Sequence, residues 1–456
     1  MGSQTASCLR ALPLLAALAA TPALADPSSA DIAQLLKGMQ ERLEKLEARN
    51  AELERRLADA APAAREEALK ARVEDLENEV VALQKKPDPL ERFEGVSVGA
   101  SLTMVAQHAK SGGVDESQLT TRADVEVELP GGSIGNAEGH VFAHFRAGDG
   151  DGLTNNAFAT SNATAFGNNP QPVLMQAWYQ LDVPVGGASG DLGRVEITAG
   201  KIDPFGFFDG NNLSDDESEG FLNLAFVHNP LLDAGGDIGV GTHGASPGMR
   251  LAYVSDVNGG NHITASLGMF GAGPGADFSD SFAKPFTIAQ LEYAGKTWNG
   301  REGAYRIYAW NNARTYDQVN DLDANGEFDD IEETHRGWGV SLDQQITANA
   351  GLFARLGYST KGTMAFDRGF TLGGQIAGSA WGRESDRIGM AFGTLRASSD
   401  YKTVTGNSGS ERIYELFYAW QANDSLQFTP SVQYIDNASG TGANVTVWGL
   451  RAKASY

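Results

Sequence analysis

The stretch 444–456 alternates strictly between apolar and polar side chains and stops on an aromatic. Tyr456, Ala454, Ala452, Leu450 and Trp448 make one set, and Ser455, Lys453, Arg451 and Gly449 make the other. A period of two marks a β-strand with two unlike faces. A strand that crosses lipid must be paired on both edges, with apolar groups outward and polar groups inward. The pattern admits two architectures: one stave of a closed membrane barrel, or an edge strand of a water-soluble sheet.

The N-terminal residues bear on the choice. Arg10 precedes an apolar run from Ala11 to Ala20, and Ala23-Leu24-Ala25 supplies an A-x-A cleavage site. Residues 1–25 therefore read as a secretory signal peptide, too short to anchor in a membrane. Cys8, the single cysteine, lies before the apolar run and leaves with that peptide, so the exported chain is expected to carry no disulfide. No later stretch reaches the roughly 20 consecutive apolar residues that a transmembrane helix needs. Barrels escape that test, because only alternate residues face lipid. The formal net charge of -23 argues against nucleic acid and against an anionic lipid surface as partners.

Residues 26–88 have a different period. Leu36, Leu43, Asn50 and Leu57 occupy a positions, and Met39, Leu46, Leu53 and Ala60 occupy d positions, of a heptad seam. Pro62 interrupts it, and Leu69, Val73, Leu76, Val80 and Leu83 resume in a shifted phase. Such a seam needs a partner chain, so homo-oligomerisation is expected, with Asn50 as a register device. Self-association of the isolated 26–88 peptide checks this. Lys85-Lys86-Pro87-Asp88-Pro89 ends the helix.

From Phe93 onward the period becomes two. In 122–129, Ala123, Val125, Val127 and Leu129 oppose Arg122, Asp124, Glu126 and Glu128. In 140–146, Val141, Ala143 and Phe145 oppose His140, His144 and Arg146, with Phe142 as the exception. In 173–182, Val173, Met175, Ala177, Tyr179 and Leu181 oppose Gln176, Gln180 and Asp182; in 426–434, Leu426, Phe428, Val432 and Tyr434 oppose Gln427, Thr429, Ser431 and Gln433. About sixteen such segments fit, an even number as bacterial single-chain barrels have. Connections alternate as well: 421–424 and 346–349 are tight turns, whereas 148–172, 203–247 and 316–335 are long. The expected fold is an all-β transmembrane barrel of about 16 antiparallel strands over 89–456, preceded by an α-helical coiled coil.

Two blocks are family-like. Gly-Lys-Ile-Asp-Pro-Phe-Gly-Phe-Phe-Asp (200–209) leads to Asp-Asp-Glu-Ser-Glu-Gly-Phe-Leu-Asn-Leu-Ala-Phe (215–226), then His228-Asn229-Pro230 and Ser246-Pro247-Gly248-Met249. The closing Gln-Phe-Thr-Pro-Ser-Val-Gln-Tyr-Ile (427–435), with Gly449-Leu450-Arg451, is similar in the same way. Together they resemble the carbohydrate-selective porins of Gram-negative outer membranes, the OprB type. That resemblance implies a sixteen-stranded barrel that passes sugars passively through a narrow, wet eyelet. A chain that ends on an aromatic strand also resembles outer-membrane barrels whose terminal residue is read by the insertion machinery. The added coiled coil is similar to that of porins with a periplasmic helical extension, which are often homo-trimers.

Alternation assigns Arg122, Asp124, Glu126, His144, Arg146, Gln176, Trp178, Gln180, Arg451 and Lys453 to the pore. If 203–247 folds inward, Asp209, Asn211, Asn212, Asp215, Asp216, Glu217 and Glu219 make an acidic, hydrogen-bonding rim. Weak multi-site contacts suit flux, and the acidic excess predicts a weakly cation-selective or sugar-preferring channel. Residues 321–332 match the twelve-residue calcium-loop pattern: Asp321, Asp323, Asn325, Glu327, Asp329 and Glu332 as ligands around Gly326. A Ca²⁺ site and a merely acidic surface loop both satisfy that pattern, and calorimetry on the wild type and on Glu332→Ala separates them. No cofactor is otherwise required, and no G-x-S-x-G, Walker A or H-E-x-x-H motif points to an enzyme. The expected function is passive diffusion of small hydrophilic solutes, carbohydrates first, across the outer membrane. The alternative is an envelope tether, in which a periplasmic coiled coil of about 80 Å reaches toward peptidoglycan and the barrel only anchors it in lipid. A third reading, an outer-membrane hydrolase, needs a clustered nucleophile and base.

Overall fold

The computed structural model describes residues 95–456, apart from 112–113, 154–156, 168, 187–191, 233–244, 258–259, 272–281 and 321–330. The signal peptide and the heptad seams lie outside the described residues. Among the described residues there are sixteen strands. They are β1 (Ser97–Ser111), β2 (Val114–Ile134), β3 (Ala137–Asp149), β4 (Asn169–Pro184), β5 (Arg194–Ile202) and β6 (Ser246–Val257). Next come β7 (Asn261–Phe270), β8 (Phe286–Lys296), β9 (Glu302–Tyr316), β10 (Glu332–Gln345) and β11 (Ala350–Lys361). The remainder are β12 (Phe366–Ala377), β13 (Arg387–Ala397), β14 (Ser410–Asn423), β15 (Leu426–Ala438) and β16 (Ala443–Ser455). Each pairs antiparallel with its sequence neighbours, and β1 pairs with β16, so the sheet is a closed barrel with no free edge.

The terminal strand behaves as its alternation predicts. Trp448 and Leu450 are exposed on the outer wall, while Arg451 is buried inside. Tyr456 exchanges backbone hydrogen bonds with Ala100, its N–H donating over 2.9 Å and its carbonyl accepting over 3.1 Å. The outer wall is apolar on every side: Leu119, Ile197, Leu267, Leu291, Ile307, Leu352, Met390 and Leu416 are all exposed there. Exposed side chains of this kind are stable only against hydrocarbon. Aromatics cluster at two heights. Trp420 stacks on Phe428 beside the turn after β14, and Phe392, Tyr414 and Tyr434 sit together six residues further up. That separation is about 20 Å along a strand, in keeping with interfacial girdles on either side of an apolar band.

The longest connections fall on one mouth, although 112–113, 362–365 and 439–442 are short there and 185–193 and 378–386 run to nine residues on the other. The turns at 346–349 and 424–425 are tight, and those after β2, β6 and β8 are comparably short. The opposite mouth carries the long connections 150–168, 203–245, 271–285, 317–331 and 398–409. Short turns belong to the periplasmic side and long loops to the outside.

One segment departs from the expected alternation. In β4 the register with β3 shifts between His144 and Phe145, so Met175 has no partner there. The bulge reverses the phase beyond it: Leu174 faces out opposite Phe145, and Met175 is buried. The expected polar character of the inward faces also fails on β11–β16. Phe353, Leu395, Ile413, Phe417, Ile435 and Val447 all point inward and are buried. The physical reason is that protein, not water, fills that half of the barrel.

Candidate functional site in the barrel interior

The filling is residues 203–232, between β5 and β6, joined by 157–167, between β3 and β4. The first of these reaches strands on opposite sides of the closed ring, which only a segment inside the barrel can do. Asp203 caps the turn Pro204–Gly206 by accepting from the Phe205 N–H, and the proline fixes its first residue. Phe207 then meets Trp178 edge-on at 5.5 Å, and the guanidinium of Arg250 lies over it at 4.8 Å. Trp178 stacks on Phe142 at 5.0 Å. Phe142, the exception to alternation in β3, is therefore an inward aromatic that supports the inward segment.

Asp209 anchors the next stretch. It adopts φ of 60° and is fully buried. Its carboxylate accepts from Tyr308 Oη and from the Asn229 N–H, each at 2.5 Å, and Arg355 Nε lies 3.3 Å away. Asp209 thus holds the segment rather than facing the aqueous path, because a charge so deep is tolerated only when surrounded by donors. Asn211 donates to Ser341 Oγ and to the Leu342 carbonyl, and Asn212 donates to Asp343 at 2.7 Å. These two are wall contacts as well.

The turn 215–220 faces β1–β4 and β16. Glu217 pairs with Arg122 at 2.5 Å, and Asp124 accepts from Arg122 at 2.9 Å, from His144 at 2.8 Å and from Arg146 at 2.6 Å. Burial works against the charged form of Glu217, but Arg122 and Arg146 outweigh it and hold the carboxyl down at about 2. Glu219 is held down to about 2 in the same way, burial being overcome by Lys453 at 2.9 Å and Arg387 at 3.2 Å. Asp216 is exposed and accepts from the Ser218 N–H. Arg451 is fully buried and donates to the carbonyls of Glu217, Glu219 and Gly220, and to Thr429 Oγ1. It is consumed in fastening this turn, so it is not a free lumen charge. Lys453 donates to Ser218 Oγ and Glu219, and it also lines a cavity.

Beyond the turn the segment is dry. Phe221 packs against Phe226, Phe353 and Phe417 with centroids 5.0–5.5 Å apart. Glu415 of β14 accepts from the N–H groups of Leu222 and Asn223, and Asn223 donates to Gln433. Asn223 also caps the helical turn Leu224–Val227. The companion segment 157–167 docks here, through Ala163 N–H to the Leu222 carbonyl and Leu224 N–H to the Thr160 carbonyl. Gln107 and Gln433 both donate to the Ser161 carbonyl.

What remains open is off-centre. A cavity of about 600 Å³ is bounded by β1–β4, β16 and residues 203–228. Arg122, Asp124, Glu126, His144, Arg146, Gln176 and Lys453 line it from the wall, and Asp215, Asp216, Glu217 and Glu219 from the inward segment. Gln180 sits nearer the short-turn mouth, donating to Asp182 and accepting from Thr198. A second cavity of about 410 Å³ lies against β5–β9, where Arg250 and Arg194 pair with Glu196, and Arg306 pairs with Glu292. These arginines, with Arg355 and Arg387, were not singled out by sequence. Alternation does contain the signal: Arg355 lies opposite in phase to Leu352 and Leu356.

Of the calcium-loop pattern, Asp321, Asp323, Asn325, Glu327 and Asp329 lie outside the described residues. Glu332, at the start of β10, pairs with Lys284 and lies 3.8 Å from Arg314.

A family model described as carbohydrate-selective porin, OprB family, matches residues 112–456. No curated protein sequence matches the chain. The fold is similar to the high-pH structure of Pseudomonas putida OprB, at 19% identity and a TM-score of 0.64, covering 80% of this chain and 95% of that one. Outer-membrane expressed OmpT of Vibrio cholerae is a more distant likeness, at 10% identity and a TM-score of 0.49, with 79% and 97% covered. A closed sixteen-strand wall, a lipid-facing apolar band and a lumen narrowed by an inward segment are what an outer-membrane porin requires, and the chain belongs to the OprB family of carbohydrate-selective porins.

Proposed function

We propose that the open part of the lumen conducts small neutral hydrophilic solutes, carbohydrates first, by passive diffusion. The observation that carries this is the pairing of charge along the path. Arg122 with Glu217, Arg250 with Glu196, and Arg306 with Glu292 present dense donors and acceptors while cancelling most of each other's field. A neutral polyol finds hydrogen bonds at every level, and no single site binds tightly enough to stop flux. Phe205, which borders both cavities, adds an apolar surface for the C–H face of a sugar ring.

The described lining of the larger cavity still holds seven carboxylates against Arg122, Arg146 and Lys453. Weak cation preference at neutral pH follows. Planar-bilayer conductance with a graded sugar series tests the reading: sugars should reduce ion current reversibly and dose-dependently. A purified chain that never conducts, or whose current no sugar alters, overturns it.

We also propose a homo-trimer. The heptad seam with Asn50 at an a position supports self-association. Chemical cross-linking of the full chain should give trimers that a variant lacking 26–88 forms poorly. Equal cross-linking of both removes the claim.

A further inference from the structure

The cavities of about 600 and 410 Å³ have three lining residues in common, Phe205, Gly206 and Asp215. Asp215 is the only charged one, so it stands at the septum between them. Its side chain keeps 37% of its surface open to the cavities. One carboxylate oxygen lies 3.8 Å from Nε2 of His228 and 3.5 Å from Nη2 of Arg355. The His228 ring lies flat on Phe205, with centroids 3.8 Å apart and planes 6° apart. The imidazole is therefore held beside the carboxylate by stacking.

Resting on the porin reading above, we propose that Asp215 and His228 together form a proton-operated charge filter at this septum. In alkaline solution the pair is a carboxylate beside a neutral imidazole, and the septum favours cations. Acidification protonates both groups, which neutralises the carboxylate, makes the imidazole a cation, and turns the preference at this shared point toward anions.

The surroundings suit this. Burial pushes the Asp215 carboxyl up to about 6, against the pull of His228 and Arg355 and with the push of Asp209. Imidazole ordinarily titrates in the same range. The other polar and charged groups facing the pair have partners besides it. Arg355 and Tyr308 are bound to Asp209, and Arg306 of β9 is bound to Glu292 and Asp343. Glu217 and Glu219 stay ionised through the whole range, since their partners hold both carboxyls down at about 2. The septum therefore changes sign while the rim keeps its charge.

The test is the reversal potential of the full chain in planar bilayers under a KCl gradient, titrated from pH 8 to pH 4.5. The wild-type cation-to-anion permeability ratio should fall about threefold or more, the size a unit charge gives at a few ångströms in a water-like medium. Asp215→Asn and His228→Gln should each remove part of the fall, and the double variant should remove it all. His108→Gln, on the outer wall, should retain it. A pH-independent ratio in the wild type, or an undiminished shift in the double variant, overturns the filter. Absence of any conductance would instead overturn the porin reading.

Discussion

Arg451→Met removes the fastening of the 215–220 turn without changing the outer wall. The lost contacts are donations to three backbone carbonyls, at 3.0, 2.5 and 2.9 Å, and one to Thr429 Oγ1 at 3.2 Å. Hydrogen bonds from a charged donor contribute about 1.5–3 kcal/mol each. Water from the adjoining cavity can replace part of that, so about 3–4 kcal/mol of anchoring is lost. Every 1.4 kcal/mol is tenfold, and the released population of the turn should therefore rise by about two to three orders of magnitude. Single-channel recording should show a larger mean conductance with rapid fluctuations, and limited proteolysis should gain a cut within 215–220. Arg451→Lys keeps the charge but loses the fork geometry, so it should fall between the two. Unchanged conductance and unchanged protease resistance in a folded Arg451→Met barrel would refute this assignment.

Three further outcomes are expected. Glu415→Gln leaves one oxygen for the two N–H groups of Leu222 and Asn223 and should weaken that docking by about 1–3 kcal/mol, read as faster hydrogen exchange of residues 220–227. Gly357→Val should displace Asn229, because a Cβ there would lie 2.3 Å from Asn229 Oδ1; raised channel noise with intact assembly is the expected readout, and a variant channel as quiet as the wild type would count against the contact. Since the Glu217 and Glu219 carboxyls are held below their ordinary value, their pairing supports the folded turn fully above about pH 4.5 and is lost as pH falls toward about 2. Conductance should therefore be steady from neutral pH down to about 4.5 in size, though not in ion preference, and change below it.

The wall was legible from period alone. Trp448 and Leu450 against Arg451 and Lys453 fell on the faces that alternation assigned them, and the last strand is paired on both edges as a lipid-crossing strand must be. The interior was legible only in part. Arg122, Asp124, His144 and Lys453 line the larger cavity, whereas Asp209 and Arg451 are spent on fastening the inward segment, because their partners are distant in sequence and invisible to local patterning. Phe353 and Phe417 broke the polar-inward rule for the same reason: a segment more than 100 residues away fills the space in front of them. Gly339 and Gly357 did carry a hint. A glycine inside a strand often marks close approach of another backbone, and both lie where Asn229 presses on the wall.

The β1–β16 seam also sets the order in which the wall can be completed. It runs from Ser101 opposite Ser455 to Ser111 opposite Val445, so its partners are separated by nearly the whole barrel sequence. Loop-closure cost grows as (3/2)RT ln n, which makes this join cost roughly 5 kcal/mol before its first contact, against roughly 2 kcal/mol for a ten-residue hairpin. Hairpins therefore zip first and the seam comes last. Until it does, β1 and β16 both present open edges that hydrocarbon does not tolerate. Loss of β16 would consequently remove far more than one stave in sixteen: it would leave a sheet with no state compatible with the membrane.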